Sequence, residues 1–340
     1  MEPSSSATQT ILRHGIALLL LGAFAAGARP DGKMQKPLVL EGHNGAVYCV
    51  AFSPDGKTLA SGDLDGTILL WDVGATKQIG SLKEDKPASI LFLGFAAGGK
   101  TLIVAGKWTG KQAPWLEAGF VQFWDLDKRQ VRDTIKFRAG FPMVVAPNGK
   151  MIATFTPAPS LLTDIYLWDA TSAEKLGTIP GGDVVPMVFA FSADSSTLAV
   201  GLMDGTAQLW DVKSRQNVAA WQPEASAICD LAFSPDGKLL ATTNSRQTSI
   251  SDVALRKVAD HYYASSDTYG CLAYSPKGSY LAIAGDGKLA LIGLVRGLPD
   301  SQMLAEQEDI SRIAFSSDGK SLAAACGENK TVKIWQMPKE

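Results

Sequence analysis

The sequence predicts an all-β chain folded as a seven-bladed β-propeller of four-stranded antiparallel blades. Three observations predict it: a seven-fold internal repeat, its regular spacing, and four strand-like runs in each copy. The repeat is plainest in AFSPDGKTLASGDLDGTILLWDV (51–73), AFSADSSTLAVGLMDGTAQLWDV (190–212), AFSPDGKLLATTNSRQTSISDV (232–253) and AFSSDGKSLAAACGENKTVKIWQM (314–337). Weaker copies cover 94–126, 144–170 and 273–294. The residue after the leading small one, at Phe52, Phe95, Val145, Phe191, Phe233, Tyr274 and Phe315, recurs at spacings of 43, 50, 46, 42, 41 and 41.

Each element of a unit follows from its own chemistry. VYCVAF has the β-branched and aromatic content of a buried strand. In Ser-Pro-Asp-Gly, proline presets φ, Asp bonds nearby backbone and Gly accepts a positive φ, so the chain turns. TLASG is a second strand, Asp-Gly a tight turn and TILLWD an alternating third strand. KQIGSLK (77–83), more polar, suits the solvated rim. One such sheet cannot bury both faces, and stacking seven around a ring does. The last repeat ends after its third strand near Trp335, so Lys36–Glu41 (KPLVLE) is expected to supply the outer strand of blade seven and close the ring.

Residues 1–28 differ from the rest. The uncharged run 15–28, GIALLLLGAFAAGA, is shorter than a bilayer-spanning helix and ends in small residues. It reads as a signal peptide, with 29–35 a linker and 36–340 the propeller. Export, to a periplasm or the exterior, is the expectation that follows; an uncleaved segment would leave the chain cytoplasmic or anchored. No later run is long and apolar enough to span a membrane. The net charge of −2, from 32 Lys+Arg and 34 Asp+Glu, excludes a strongly basic nucleic-acid surface. Cys49, Cys229, Cys271 and Cys326 lie far apart in hydrophobic runs, as buried free thiols do.

The dipeptide Trp-Asp closes the third strand at Trp71-Asp72, Trp124-Asp125, Trp168-Asp169 and Trp210-Asp211; Trp335 is followed by Gln336. Ser251 and Ile292 stand where blades five and six have lost the Trp, and Gly-His occurs once, at Gly42-His43. With these residues the chain resembles the WD-repeat (WD40) family over about 36–337, as a bacterial-type exported member. The resemblance implies a buried hydrogen-bonded tetrad in blade one, made of His43, Ser61, Asp65 and Trp71. It also implies a rigid, non-enzymatic platform for protein partners, a monomeric propeller working within a complex.

Chemistry has little material. His14, His43 and His261 are the three histidines, and no nucleophile elbow, zinc motif, P-loop or dinucleotide fingerprint occurs. Single aspartates fall at turns, Asp63-Leu64-Asp65-Gly66 is a weak Ca²⁺-loop match, and no cofactor or metal is expected. The residues ahead of the first strands (Ala46, Ser89, Ala227, Ser311) are small and neutral, which argues against a propeller hydrolase or lyase with carboxylates at the channel mouth. Binding, by contrast, has candidates. Insertions at 106–119 and 155–164 and the link 261–270 belong to one face, where long loops on a rigid scaffold carry contacts. Trp108, Trp115, Leu161, Leu162, Tyr262, Tyr263 and Tyr269 are the candidate partner-binding residues. The competing readings are that Trp115 and the Leu pair fold back over their blades, that Tyr262 is an ordinary strand-end residue, and that the aromatic loops bind carbohydrate.

Overall fold

The computed structural model describes residues 36–338 except 85, 110–118, 138–141, 156–162, 264–269, 286, 296–300 and 306–307; at Ala97, Phe137, Tyr263 and Ser301 the backbone alone is described. The signal and linker readings therefore lie outside the described residues.

Seven four-stranded antiparallel sheets follow one another along the chain. In blade one the strands are Val47–Phe52, Thr58–Asp63, Thr67–Asp72 and Lys77–Lys83, paired in that order. The first strand of each blade touches the first strand of the next, and that of blade seven touches that of blade one, so the first strands form the inner ring. Blade seven takes Ile310–Phe315, Ser321–Cys326 and Thr331–Gln336 from the end of the chain and Leu38–Glu41 from its beginning. Leu38 lies opposite Ile334 and Glu41 opposite Thr331, so the ring closes as the sequence predicts.

The core is a series of seven clusters lying largely between successive blades. One joins Cys49, Ala60, Ile68 and Leu70 of blade one to Ile90, Leu93, Leu102 and Phe120 of blade two. Another joins blade seven to blade one through Ala323, Val332, Ile334, Val47, Leu59 and Trp71. Fully burying one such aliphatic side chain is worth about 1.5–3 kcal/mol, so the interfaces hold the ring rather than the individual sheets.

In blades one, four, five and seven the turn after the first strand is a repeated device. Ser53 Oγ donates to Asp55 Oδ1 at 2.6 Å and accepts from Thr58 N at 2.9 Å. Ser192–Asp194, Ser234–Asp236 and Ser316–Asp318 repeat the contact at 2.6, 2.7 and 2.7 Å. The turn between second and third strands requires glycine at Gly205: φ is +88°, and a Cβ would meet Glu224 O at 2.2 Å.

Four blades share an irregularity with no counterpart in the sequence reading. The first strand carries a bulge at Tyr48, Leu91, Met187 and Ser311 in blades one, two, four and seven. A bulge re-aims its side chain away from the ladder, here at the rim of the central channel.

Candidate functional site

The tetrad of blade one is assembled, with one substitution in its cast. Trp71 Nε1 donates to Ser61 Oγ at 2.8 Å, Ser61 Oγ and His43 Nε2 are 2.7 Å apart, and His43 Nδ1 lies 2.8 Å from Asp63 Oδ2. The directions are mutually consistent if a neutral His43 carries its proton on Nδ1, donates it to Asp63 and accepts from Ser61. Asp63 Oδ1 accepts from the backbone N–H groups of Asp65 and Thr67 at 3.0 and 2.8 Å.

The expected carboxylate, Asp65, is not in the network; it is exposed in the turn. Ser61 and Asp63 stand two apart on one strand and so share its buried face, whereas Asp65 lies beyond the strand end. Burial opposes ionisation of Asp63, but the hydrogen bonds from His43 and Thr67 outweigh it and hold the carboxyl below the usual range. These groups are spent on one another, which makes them a brace rather than reactive machinery.

Blade five repeats the brace in different residues. Glu224, Thr242 and Asn244 each follow their blade-one counterparts His43, Ser61 and Asp63 by 181 positions. Glu224 is buried; its Oε1 accepts from Thr242 Oγ1 and its Oε2 from Asn244 Nδ2 and Gln247 Nε2, all at 2.9 Å. Burial pushes its carboxyl up against those hydrogen bonds. Ser251 pairs with Leu240 as Trp71 pairs with Leu59, so it does occupy the lost Trp position, and Ile292 does the same opposite Leu281. Ser251 Oγ accepts from Trp221 Nε1, an indole on the outer strand of blade four.

Blade three keeps the indole-to-hydroxyl bond of blade one, with Thr154 at the position of Ser61, whereas blades two and four tie the indole differently. Trp168 donates to Thr154 Oγ1, while Trp124 and Trp210 donate to Gln122 and Gln208 two residues back. Gln122 in turn donates to Glu84. The four thiols are free; burial pushes Cys49, Cys271 and Cys326 up to about 12 and Cys229 to about 11.

On the face of the links and second-to-third turns, the predicted partner-binding residues divide. Trp108 is half-buried, stacked on Phe120 with ring centroids 4.9 Å apart, and the Lys86 ammonium lies 5.4 Å from its ring. Part of the predicted insertion, Gly106–Trp108, is strand. Tyr262 is half-buried against the core shared by blades five and six. Tyr263 ends the outer strand of blade five. Trp115, Leu161, Leu162 and Tyr269 lie outside the described residues.

The exposed apolar surface of this face is elsewhere. Tyr48 and Leu64 of blade one are 39% and 37% exposed, and Met187 and Met203 of blade four 36% and 58%. Tyr48 and Met187 are the bulged residues; Leu64 and Met203 sit in the corresponding turns, three repeats apart. Val185, 40% exposed, joins them. The sequence signal for these was available: the repeat alignment pairs them, although each reads singly as ordinary strand or turn.

The channel mouth corrects the expectation of a small, neutral lining. Its charged groups come both from inside the first strands, at Asp230 and Arg312, and from just ahead of one, at Asp309. Arg312 of blade seven reaches across blade six, placing Nη1 3.3 Å from Asp230 Oδ2 of blade five. Asp230 is buried, which raises its carboxyl, while Arg312 lowers it. Among the described residues no group of three His, Cys, Asp or Glu side chains is placed to hold a metal ion, and no helix is long and apolar enough to cross a membrane.

With the geometry in hand, the chain can be set beside known proteins. The WD40 family profile (WD domain, G-beta repeat) matches residues 34–72, 174–211, 216–251 and 300–336. Each match runs from the outer strand of one blade to the third strand of the next, so the sequence unit straddles two blades. Similar proteins include the Dictyostelium discoideum WD repeat-containing protein 91 homolog, 25% identical over 58% of this chain and 25% of its own. The Oryza sativa subsp. japonica small ribosomal subunit protein RACK1y is 32% identical over 51% of this chain and 37% of its own. The Xenopus laevis WD repeat-containing protein 1-B is 23% identical over 87% and 47%. The chain spans less than half the length of these relatives.

Proposed function

We propose that this seven-bladed propeller, four of whose repeat units match the WD40 profile, is a non-enzymatic platform presenting its link-and-turn face to a protein partner. The observation that carries this is the recurrence of exposed apolar residues at matching repeat positions on one face, Tyr48 with Met187 and Leu64 with Met203. Exposed apolar side chains on one face of a rigid scaffold are what interface anchors require. One relative's name makes it a component of the small ribosomal subunit, a use of the same repeat in assembly. The half-buried Trp108 and Tyr262 would frame this surface, the former beside the blade-two insertion.

The test is affinity capture with the full chain, read by mass spectrometry, beside two variants. Met187→Asp with Met203→Asp alters the proposed face; Leu255→Asp alters a residue 73% exposed in a third-to-fourth-strand turn, on the opposite face. A partner held by the wild type and the Leu255 variant but lost by the double variant is the expected result. Equal capture by all three, or none by the wild type, overturns the reading. On the same footing, residues 1–28 would act as an export signal; N-terminal sequencing of the exported protein is expected to begin at Arg29, and a start at Met1 would overturn it.

A further inference from the structure

We propose that the channel mouth where blades five, six, seven and one meet is a binding site for a carboxylate, with Arg312 as its anchor. A pocket of about 310 Å³ opens there, lined by Tyr48, Asp230, Cys271, Arg312 and neighbouring residues. That is the lower end of the volumes that hold small ligands.

Its donors are unevenly spent. The Arg312 side chain is 41% exposed, and its one hydrogen bond within the described residues goes from Nη1 to Asp230. A guanidinium has five N–H donors, so most of its fork faces the pocket unused. Asp230 is 7% exposed at its side chain and already accepts from Leu231 N at 3.0 Å and Leu272 N at 2.9 Å. It therefore fixes the guanidinium without offering a ligand much of its own. Tyr48 and Ser311, both bulged residues, add two hydroxyls that line the pocket and have no hydrogen-bond partner among the described residues. Blade six, between blades five and seven, contributes Cys271 and three glycines, Gly270, Gly285 and Gly287, which project no side chains.

A fork of N–H donors beside hydroxyls matches a planar carboxylate. Asp309, exposed at the rim, and Asp230 set two carboxylates beside one guanidinium; the repulsion they add grows with ligand charge, so the site takes a singly charged carboxylate ahead of phosphate. The inference does not rest on the platform reading, because a free small carboxylate satisfies it as well as an acidic side chain on a peptide.

Isothermal titration of the full chain separates the sources. The probes are 4-acetamidobutyrate and the blocked peptides acetyl-Ser-Gly-Glu-Gly-Ser-amide and its Gln counterpart. Binding of the first probe or of the Glu peptide is expected, with the Gln peptide at least about tenfold weaker. Arg312→Gln paired with Asp230→Asn, which removes both charges together, is expected to abolish it. Tyr48→Phe with Ser311→Ala leaves the ion pair intact and is expected to weaken binding about three- to tenfold. No heat from either carboxylate at about 10 mM overturns the proposal. So does equal binding of Glu and Gln peptides, competition by phosphate at equal concentration, or undiminished binding by both variants.

Discussion

Trp221, on the outer strand of blade four, donates its indole N–H to Ser251 Oγ of blade five at 3.1 Å. Blade five has thus lost its own third-strand Trp and takes an indole from its neighbour, making one hydrogen bond an interblade tie. Trp221→Phe is expected to cost about 1–2 kcal/mol, since it strands a buried hydroxyl. Ser251→Ala in the Trp221→Phe background is expected to cost less than it does alone. Additive losses in chemical denaturation would show that the two do not act together.

Asp63 and Asp65 offer a sharp contrast two residues apart. Asp63→Ala removes the carboxylate that receives His43 and two backbone N–H groups, and is expected to cost about 2–3 kcal/mol. Asp65→Ala changes an exposed turn residue and is expected to stay within about 0.5 kcal/mol. Thermal melts of the pair decide it, and a reversed order would return the tetrad role to Asp65.

Tyr274 stands where five other blades have Phe52, Phe95, Phe191, Phe233 and Phe315. Its hydroxyl is buried with no hydrogen-bond partner among the described residues. Tyr274→Phe is expected to be neutral or to stabilise by about 1 kcal/mol. A lowered melting temperature would reveal a partner for that hydroxyl.

Acid should loosen the ring through its turns. Ser hydroxyls hold Asp55, Asp194, Asp236 and Asp318 below their ordinary values, Asp318 at about 2. A carboxyl more acidic in the folded state lends stability that is whole above its unfolded value near about 3.9 and drains as pH falls through the folded one. Glu224 and Asp230, raised by burial, run the other way, because protonation relieves them. Melting temperatures are therefore expected to fall mainly between about pH 4 and pH 2. Asp318→Asn should lower the neutral-pH midpoint and flatten that fall; a profile unchanged by the substitution would refute the assignment.

The fold was legible because a propeller repeats its instructions: seven copies of one strand-and-turn pattern, four of them with the same Ser–Asp turn, leave one architecture that buries every sheet. Ring closure by 36–41 followed from counting strands. The brace was legible less completely. His43, Ser61 and Trp71 follow from the family pattern, which also points to the turn residue Asp65, whereas period-two alternation from Ser61 points to Asp63. Glu224 could have been found by adding 181 to His43; its different chemistry hid the equivalence. Arg312 and Asp230 could not be paired from sequence, since only the curvature of the ring brings blade seven across to blade five. The bulges at Tyr48 and Met187 leave no local mark, because a bulge is a property of two strands and not of one.

The seventh sheet also sets a timetable. Every other blade pairs strands made one after another, so each can zip up as it emerges. Leu38–Glu41 is the first of the ring's strands to leave the ribosome, yet its partner strand Thr331–Gln336 is the last. At about 5–20 residues per second, the opening strand waits some tens of seconds with its hydrogen-bonding edge bare. Birth order thus runs opposite to assembly order: the first strand made is the last to find its place, and in a chain that stalls short of Thr331 both Leu38–Glu41 and Ser321–Cys326 keep unpaired the edge that Thr331–Gln336 would cover.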